Sequence, residues 1–232
     1  MNMPSYLNPS HWQDLKRSFD ENGFVILRGY CSGDEVDEMR THLHEVHERA
    51  ASDKIAIGSM KSLDAMHPWF QRYLLEGEHI PLIKYLIDDG LSPDNVSWIS
   101  KPKGVDRTFP HFDALGTYRI PAAGASLWVA LDAMDLGNGC LHYERGSHLN
   151  IFKEAYPLPG YDETNDRIEP VVVQPGDAVI HSARTVHFSI DPVDYSRPRN
   201  AMVYVYWGAS STVDKKRSAR SNARAELQSI VL

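Results

Sequence analysis

The chain has 232 residues, 42% of them hydrophobic, and carries a formal net charge of -7 at neutral pH. That length and apolar content suit one sizeable domain with a proper core, and an acidic balance with no long basic patch argues against a nucleic-acid surface. Cys31 and Cys140 lie far apart, with no CxxC pair, so neither a disulfide framework nor a thiolate zinc site is indicated.

The first twenty residues contain Pro4, Pro9, His11 and mixed charges in place of an apolar export signal, and no later apolar run is long enough to span a bilayer. A soluble, cytoplasmic protein with a small-molecule partner is expected, with no nucleic-acid or membrane partner. Oligomeric state is not legible.

Residues 9–20 read as a short helix with Leu15 and Phe19 on one stripe and Gly23 as its stop. A buried strand follows at 24–27. Ser32 is placed to cap a second helix, with Asp34 and Glu35 in its favourable first turn and Val36, Met39, Leu43, Val46 and Ala50 at helical spacing. This helix also carries His42, His44 and His47. The string His44-Glu45-Val46-His47-Glu48 misses the HExxH zinc pattern by one residue, so its polar positions read as a solvated face. Residues 64–75 and 80–88 read as two further helices, ended by Gly90 and Pro93.

After Pro93 the texture changes to short β-rich runs punctuated by Gly and Pro. Eight strands are expected, at 96–100, 109–113, 126–132, 140–143, 168–173, 178–181, 186–190 and 200–207. Eight strands in series suggest a jelly roll, a cupin-like double-stranded β-helix that is mainly β, with the N-terminal helices packed on the outside of one sheet. The expected division is a single domain over 1–232, with mostly helical support in 1–92, the β core in 93–208 and a charged tail in 209–232 that forms a surface helix.

Within the core, His111 and Asp113 stand two apart on a segment read as extended, which points them to one face. Either His181 or His187 can supply a third ligand. Two imidazoles and a carboxylate suit Fe(II) and leave three adjacent positions open for a chelating co-substrate and dioxygen, although the same set can hold Zn(II), Ni(II) or Mn(II). His187 is favoured because Ser189 follows on the same strand face and Arg199 on the next strand, whose guanidinium fork fits the far carboxylate of a diacid such as 2-oxoglutarate. His181 then falls beside the ligands or lines the pocket. Arg197, two residues before Arg199, is the competing clamp. Tyr118 and Trp128 are candidate pocket residues, and Arg119 is a possible greeter of an anionic substrate that reads first as a surface residue. Tyr204, Tyr206 and Trp207 read first as core, and His11, His67, His79 and His142 as ordinary.

The series His111-x-Asp113, Trp128-Val129-Ala130-Leu131-Asp132, Gly137-Asn138-Gly139-Cys140-Leu141, Gly146-Ser147-His148, Gly176-Asp177, His187-x-Ser189 and Arg199-x-Ala201 resembles the phytanoyl-CoA dioxygenase family of Fe(II)/2-oxoglutarate-dependent oxygenases, over residues 10–208. The resemblance implies iron held by His111, Asp113 and His187, and 2-oxoglutarate anchored by Arg199 with help from Ser189. It also implies oxidation of a small molecule by O2, most simply hydroxylation, with release of succinate and CO2. A desaturase or cyclase variant, or a protein that binds metal and 2-oxoglutarate without turnover, are the alternatives. Halogenation is disfavoured, because relatives that halogenate have a small residue where Asp113 stands. Glu144-Arg145-Gly146-Ser147-His148 departs from the family's usual Pro-Gly-Ser-His loop, and no basic cluster waits for the phosphates of coenzyme A, so the family name does not supply the substrate.

Overall fold

The computed structural model describes residues 6, 8–50, 58–105, 107–115, 117–152 and 156–216. The charged tail from residue 217 onward, where a surface helix is expected, lies outside them. A 3-10 turn over Pro9–His11 leads into α1 (Trp12–Asn22), β1 (Phe24–Leu27) and α2 (Gly33–Arg49), followed by β2 (Ser59–Met60), α3 (Leu63–Met66), α4 (Pro68–Glu76) and α5 (Ile80–Ile87). Strands follow, with one 3-10 turn over Ser147–Leu149 between the fifth and sixth of them: β3 (Leu91–Ser100), β4 (Thr108–His111), β5 (Arg119–Ile120), β6 (Gly124–Ala130), β7 (Leu141–Glu144), β8 (Ile168–Val171), β9 (Ala178–Ser182), β10 (His187–Ser189), β11 (Asn200–Gly208) and β12 (Thr212–Val213).

All the pairings between these strands are antiparallel. One sheet has the order β1-β9-β6-β11-β3-β2 and the other β4-β10-β7-β8, so the eight expected strands divide four and four between two sheets. This is the jelly roll anticipated from sequence, with β1 and β2 added at the edges of the larger sheet and a small β12-β5 ribbon apart from both.

The larger sheet is buried on both faces, and every residue of its central strand β6 is buried. Along β6, Leu127 and Val129 join the helical residues Met39, Phe70 and Ile83 in one core, while Trp128 and Ala130 join Tyr143 and Val203 in the other, between the sheets. Strand alternation alone produces this division. Tyr204 and Tyr206 consequently face the helices. His79, treated as ordinary from sequence, lies fully buried there, and its Nε2 meets the Tyr206 hydroxyl at 2.5 Å.

Helix ends follow the sequence closely. Ser32 and Glu35 form a reciprocal capping box at the start of α2, and Gly23 ends α1 at φ 84°, in the left-handed region that favours glycine. The single helix expected over 64–75 is two, because His67 takes an extended backbone before Pro68, and its ring Nδ1 accepts the Trp69 N–H to cap α4. His44 and Glu48 are exposed, as the solvated-face reading of α2 expects, but the other two histidines are not. His47 packs edge-on against Trp98, and His42 lies against His67.

The Gly176-Asp177 turn seats β1 on the barrel. Gly176 has φ 86°, and a Cβ there would come within 2.3 Å of the Cys31 carbonyl oxygen. The buried Asp177 carboxylate accepts from the Gly29 N–H at 2.8 Å, the Gln174 N–H at 3.0 Å and Arg28 at 2.7 Å. Burial raises its pKa, but those donors outweigh burial and hold it below the ordinary value of 3.8. The stabilisation is therefore complete above that value and disappears as pH falls through the folded-state pKa. Asp177→Asn is expected to lower unfolding free energy by about 2 kcal/mol at neutral pH. Urea titrations across the acid range should show the two proteins converging as the carboxyl protonates.

Candidate active site between the two sheets

His187 on β10 is the cross-strand partner of His111 at the end of β4, so the smaller sheet sets two imidazoles side by side with ring centres 4.3 Å apart. Each ring is oriented in the same way. His111 Nδ1–H donates to the Phe109 carbonyl at 2.8 Å, and His187 Nδ1–H donates to the Thr185 carbonyl at 3.0 Å. A carbonyl oxygen only accepts, so both rings carry their proton on Nδ1 and present the Nε2 lone pair to the interior. Burial, then the neighbouring His111 and His181, push the His187 pKa down to about 3, which keeps that ring neutral.

Asp113 reaches these rings differently from the sequence expectation. The strand ends at His111, and Asp113 lies in the turn beyond it, fastened by the Ala114 N–H to the Ala183 carbonyl at 2.7 Å. Its carboxylate is held from the opposite, larger sheet. Ser126 Oγ–H donates to Oδ2 at 2.5 Å, and His181 Nε2–H donates to the same oxygen at 3.0 Å. Ser126 and His181 are register partners on β6 and β9, so one pair of adjacent strands supplies both donors.

With Oδ2 occupied, Oδ1 turns toward His187 Nε2, 3.6 Å away. One ligand atom each from His111, Asp113 and His187 lies within 4.8 Å of the others, a spacing that a single ion can bridge. Burial raises the Asp113 pKa, but the His181 hydrogen bond and the surrounding imidazoles outweigh it and hold the carboxyl well below the usual range.

His181 is thus placed as the support of Asp113. Tyr143 O–H meets its Nδ1 at 3.0 Å, and the Tyr143 ring stacks on Phe24 and lies along His187. The sequence reading named neither Ser126 nor Tyr143. Strand alternation puts Ser126 on the face of Trp128, but its contact with Asp113 depends on how two sheets oppose each other.

Arg199 is 2% exposed, with Nε–H donating to the Gly139 carbonyl at 3.1 Å and the guanidinium 5.3 Å from the centre of the Trp128 ring. Burial pushes its pKa down to about 10, so it remains a cation at neutral pH, yet among the described residues no carboxylate pairs with it. Arg197 is at the surface and already engaged, bidentate to Asp135 at 2.8 Å and bonded to Asp194 at 2.9 Å. Ser189 is fully buried, and its Oγ accepts the Thr108 N–H at 3.2 Å. Tyr118, with Arg119, lines a cavity of about 180 Å³ beside Phe112 and Ala114, the neighbours of Asp113.

A second cluster, His42, Glu45 and His67, also brings three ligand atoms together. Its hydrogen bonds speak against an ion. His67 Nδ1 accepts the Trp69 N–H, which leaves the proton on Nε2, and Nε2–H donates to Glu45 at 2.8 Å. A metal on Nε2 would force the proton onto Nδ1, against the backbone donor that caps α4.

A family model described as Phytanoyl-CoA dioxygenase (PhyH) matches residues 19–191, which include His111, Asp113 and His187 and stop short of Arg199. Dioxygenase lolE1 of Epichloe uncinata is 30% identical, covering 81% of this chain and 79% of that protein. Phytanoyl-CoA dioxygenase 1 of Oryza sativa subsp. japonica is 24% identical, covering 75% and 82%. Among solved structures, the epimerase SnoN from nogalamycin biosynthesis, in complex with Fe3+, alpha ketoglutarate and nogalamycin RO, superposes with a TM-score of 0.76 at 21% identity, over 89% of this chain and 87% of that one. EctD from S. alaskensis, with 2-oxoglutarate and 5-hydroxyectoine, gives 0.73 at 18% identity, over 92% and 80%.

If His181 acts by holding Asp113, His181→Ala should weaken divalent-metal affinity by about 10- to 100-fold without abolishing it. Calorimetric titration with Co(II) reads this directly. Unchanged affinity, or a complete loss equal to that of His187→Ala, would contradict the supporting role.

Proposed function

Given that this chain belongs to the phytanoyl-CoA dioxygenase family and is a non-haem Fe(II)/2-oxoglutarate-dependent dioxygenase, we propose that His111, Asp113 and His187 hold the iron and that Arg199 grips the distal carboxylate of 2-oxoglutarate. The observation that carries this reading is the pairing of two unsatisfied features inside one barrel. Three ligand atoms converge with lone pairs turned inward, and a buried guanidinium nearby has no counter-ion among the described residues. A dicarboxylate that chelates the metal at one end and reaches the arginine at the other satisfies both.

Strand β6 acts as the ruler. Ser126, which steadies Asp113, and Trp128, which lies under Arg199, are two residues apart on the same face, a separation of about 6.7 Å. This span suits a five-carbon diacid. Ser189 has an unspent hydroxyl proton among the described residues, because its oxygen only accepts, and it can donate to the same carboxylate.

Bound iron and 2-oxoglutarate supply the activation of O2, with loss of CO2 and formation of succinate. The residues of the chain fix the geometry. The Phe109 and Thr185 carbonyls orient the two imidazoles, His181 and Ser126 keep Oδ1 as the ligand oxygen, and the apolar core between the sheets limits water. The substrate is a small molecule, and hydroxylation is the outcome this reading favours over desaturation or ring closure.

Fe(II) and 2-oxoglutarate mixed with the protein under argon should produce a weak visible metal-to-ligand absorption. Asp113→Ala should remove it, and EDTA should abolish it in the native chain. Arg199→Gln should preserve the band at saturation while raising the 2-oxoglutarate concentration for half-saturation by about 10- to 100-fold. Arg197→Gln should leave that midpoint unchanged. No band in the native protein, or a shifted midpoint for Arg197→Gln alone, would overturn the assignment.

A further inference from the structure

The cavity lined by Tyr118 and Arg119 has a composition that the metal centre does not explain. Its wall includes Phe112 and Ala114, on either side of Asp113, so it opens next to the proposed iron. Two arginines, Arg119 and Arg184, border it, and among the described residues no carboxylate does. A second cavity of about 410 Å³ shares Asn150, Ile151 and Phe152 with it, so the two meet at that segment.

Arg119 is held in place but poorly neutralised. Its guanidinium lies over the Trp207 ring, 4.9 Å from the centre, and its nearest acid among the described residues, the partly exposed Asp94, is 3.9 Å away. An ion pair at that distance contributes little. The arginine side chain itself is only 19% exposed. Stacking fixes the plane of the guanidinium, which leaves its edge donors to meet a ligand.

Arg184 Nη2 donates to the Asn150 carbonyl at 2.8 Å and ties the segment after β7 to the loop before His187. Phe112 and Phe152 lie with ring centres 6.1 Å apart, and Ile151 is 96% exposed at the junction of the cavities. The space therefore offers positive charge on one side and apolar surface on the other.

We infer that the substrate of this enzyme is a small organic anion, bound with its charged group on Arg119, assisted by Arg184, and its apolar body against Phe112, Phe152 and Ile151. This rests on the function proposed above and adds the substrate class. The anion is the handle, and the oxidised carbon lies on the side facing Asp113. Carboxylates and phosphate monoesters share the recognising chemistry, and Arg199 remains committed to 2-oxoglutarate.

The test is calorimetric titration of the full chain loaded with Fe(II) and 2-oxoglutarate under argon, using 3-phenylpropionate, phenyl phosphate and 3-phenylpropionamide as probes. At least one anion should bind roughly 10- to 100-fold tighter than the amide, and which of the two does so identifies the charged group. Arg119→Gln should remove that preference and leave both the amide affinity and the 2-oxoglutarate midpoint unchanged. Arg119→Lys, the milder variant, should keep part of the preference and guards against misfolding. Equal binding of amide and anions, no binding of any probe at millimolar concentration, or an Arg119→Gln effect confined to 2-oxoglutarate would each overturn the inference. Titration of the metal-free protein repeats the comparison without the iron. An anion preference there, with no visible band on adding Fe(II) and 2-oxoglutarate, would place the failure in the metal assignment and leave the anion site standing.

Discussion

The site depends on one carboxylate being kept charged inside a barrel. Removing Asp113 from water costs several kcal/mol, and the two hydrogen bonds to Oδ2, from Ser126 and His181, offset roughly 1.5–3 kcal/mol each. Both act on the same oxygen. Oδ1 is left turned to the Nε2 side of His187 with no hydrogen-bond donor of its own among the described residues, and under the proposed function a cation in the gap would add to the balance there. The supports also come from the sheet opposite to the two histidines, and any separation of the sheets would release Asp113 from its place beside the two imidazoles, which share one sheet.

That requirement explains the helical layer. A curved sheet with an open outer face would not hold Ser126 and His181 to within a few tenths of an ångström of their places. Leu127, Val129, Ile180, Met202, Tyr204 and Tyr206, the outward-facing residues of β6, β9 and β11, are locked against Met39, Phe70, Leu82 and Ile83. His79 adds a polar anchor within this layer, meeting Tyr206 through one ring nitrogen and Tyr30 through the other. The helices thus act on the chemistry by fixing the far side of the strands that carry it.

Much of this was legible from sequence because strand alternation and turn residues are local signals. Nine of the ten strands of the two sheets were anticipated, most within a few residues, as were the α2 cap at Ser32 and the α1 stop at Gly23. The histidine-carboxylate pair was found for a partly wrong reason: Asp113 joins His111 through a turn and a grip from across the barrel, not through strand periodicity. Ser126, Tyr143 and the role of His67 were invisible because each depends on contacts between segments distant in the chain, for which spacing gives no measure. The short strands β2, β5 and β12 were missed for a related reason, since two residues carry no alternation to read.

Arg199 shows where the two kinds of argument meet. The family match ends at residue 191, so the pairing of this arginine with a diacid gains nothing from it. The physical case is independent. A guanidinium that is 2% exposed, bonded through Nε to a carbonyl and stacked on Trp128, is a buried charge that evolution and folding tolerate only with a partner. Arg197, two residues earlier, makes the contrast: at the surface it has found two carboxylates, Asp135 and Asp194, which already neutralise its charge. Two arginines alike in sequence are separated by burial, and the one without an acid among the described residues is the one that points to an acid brought from outside.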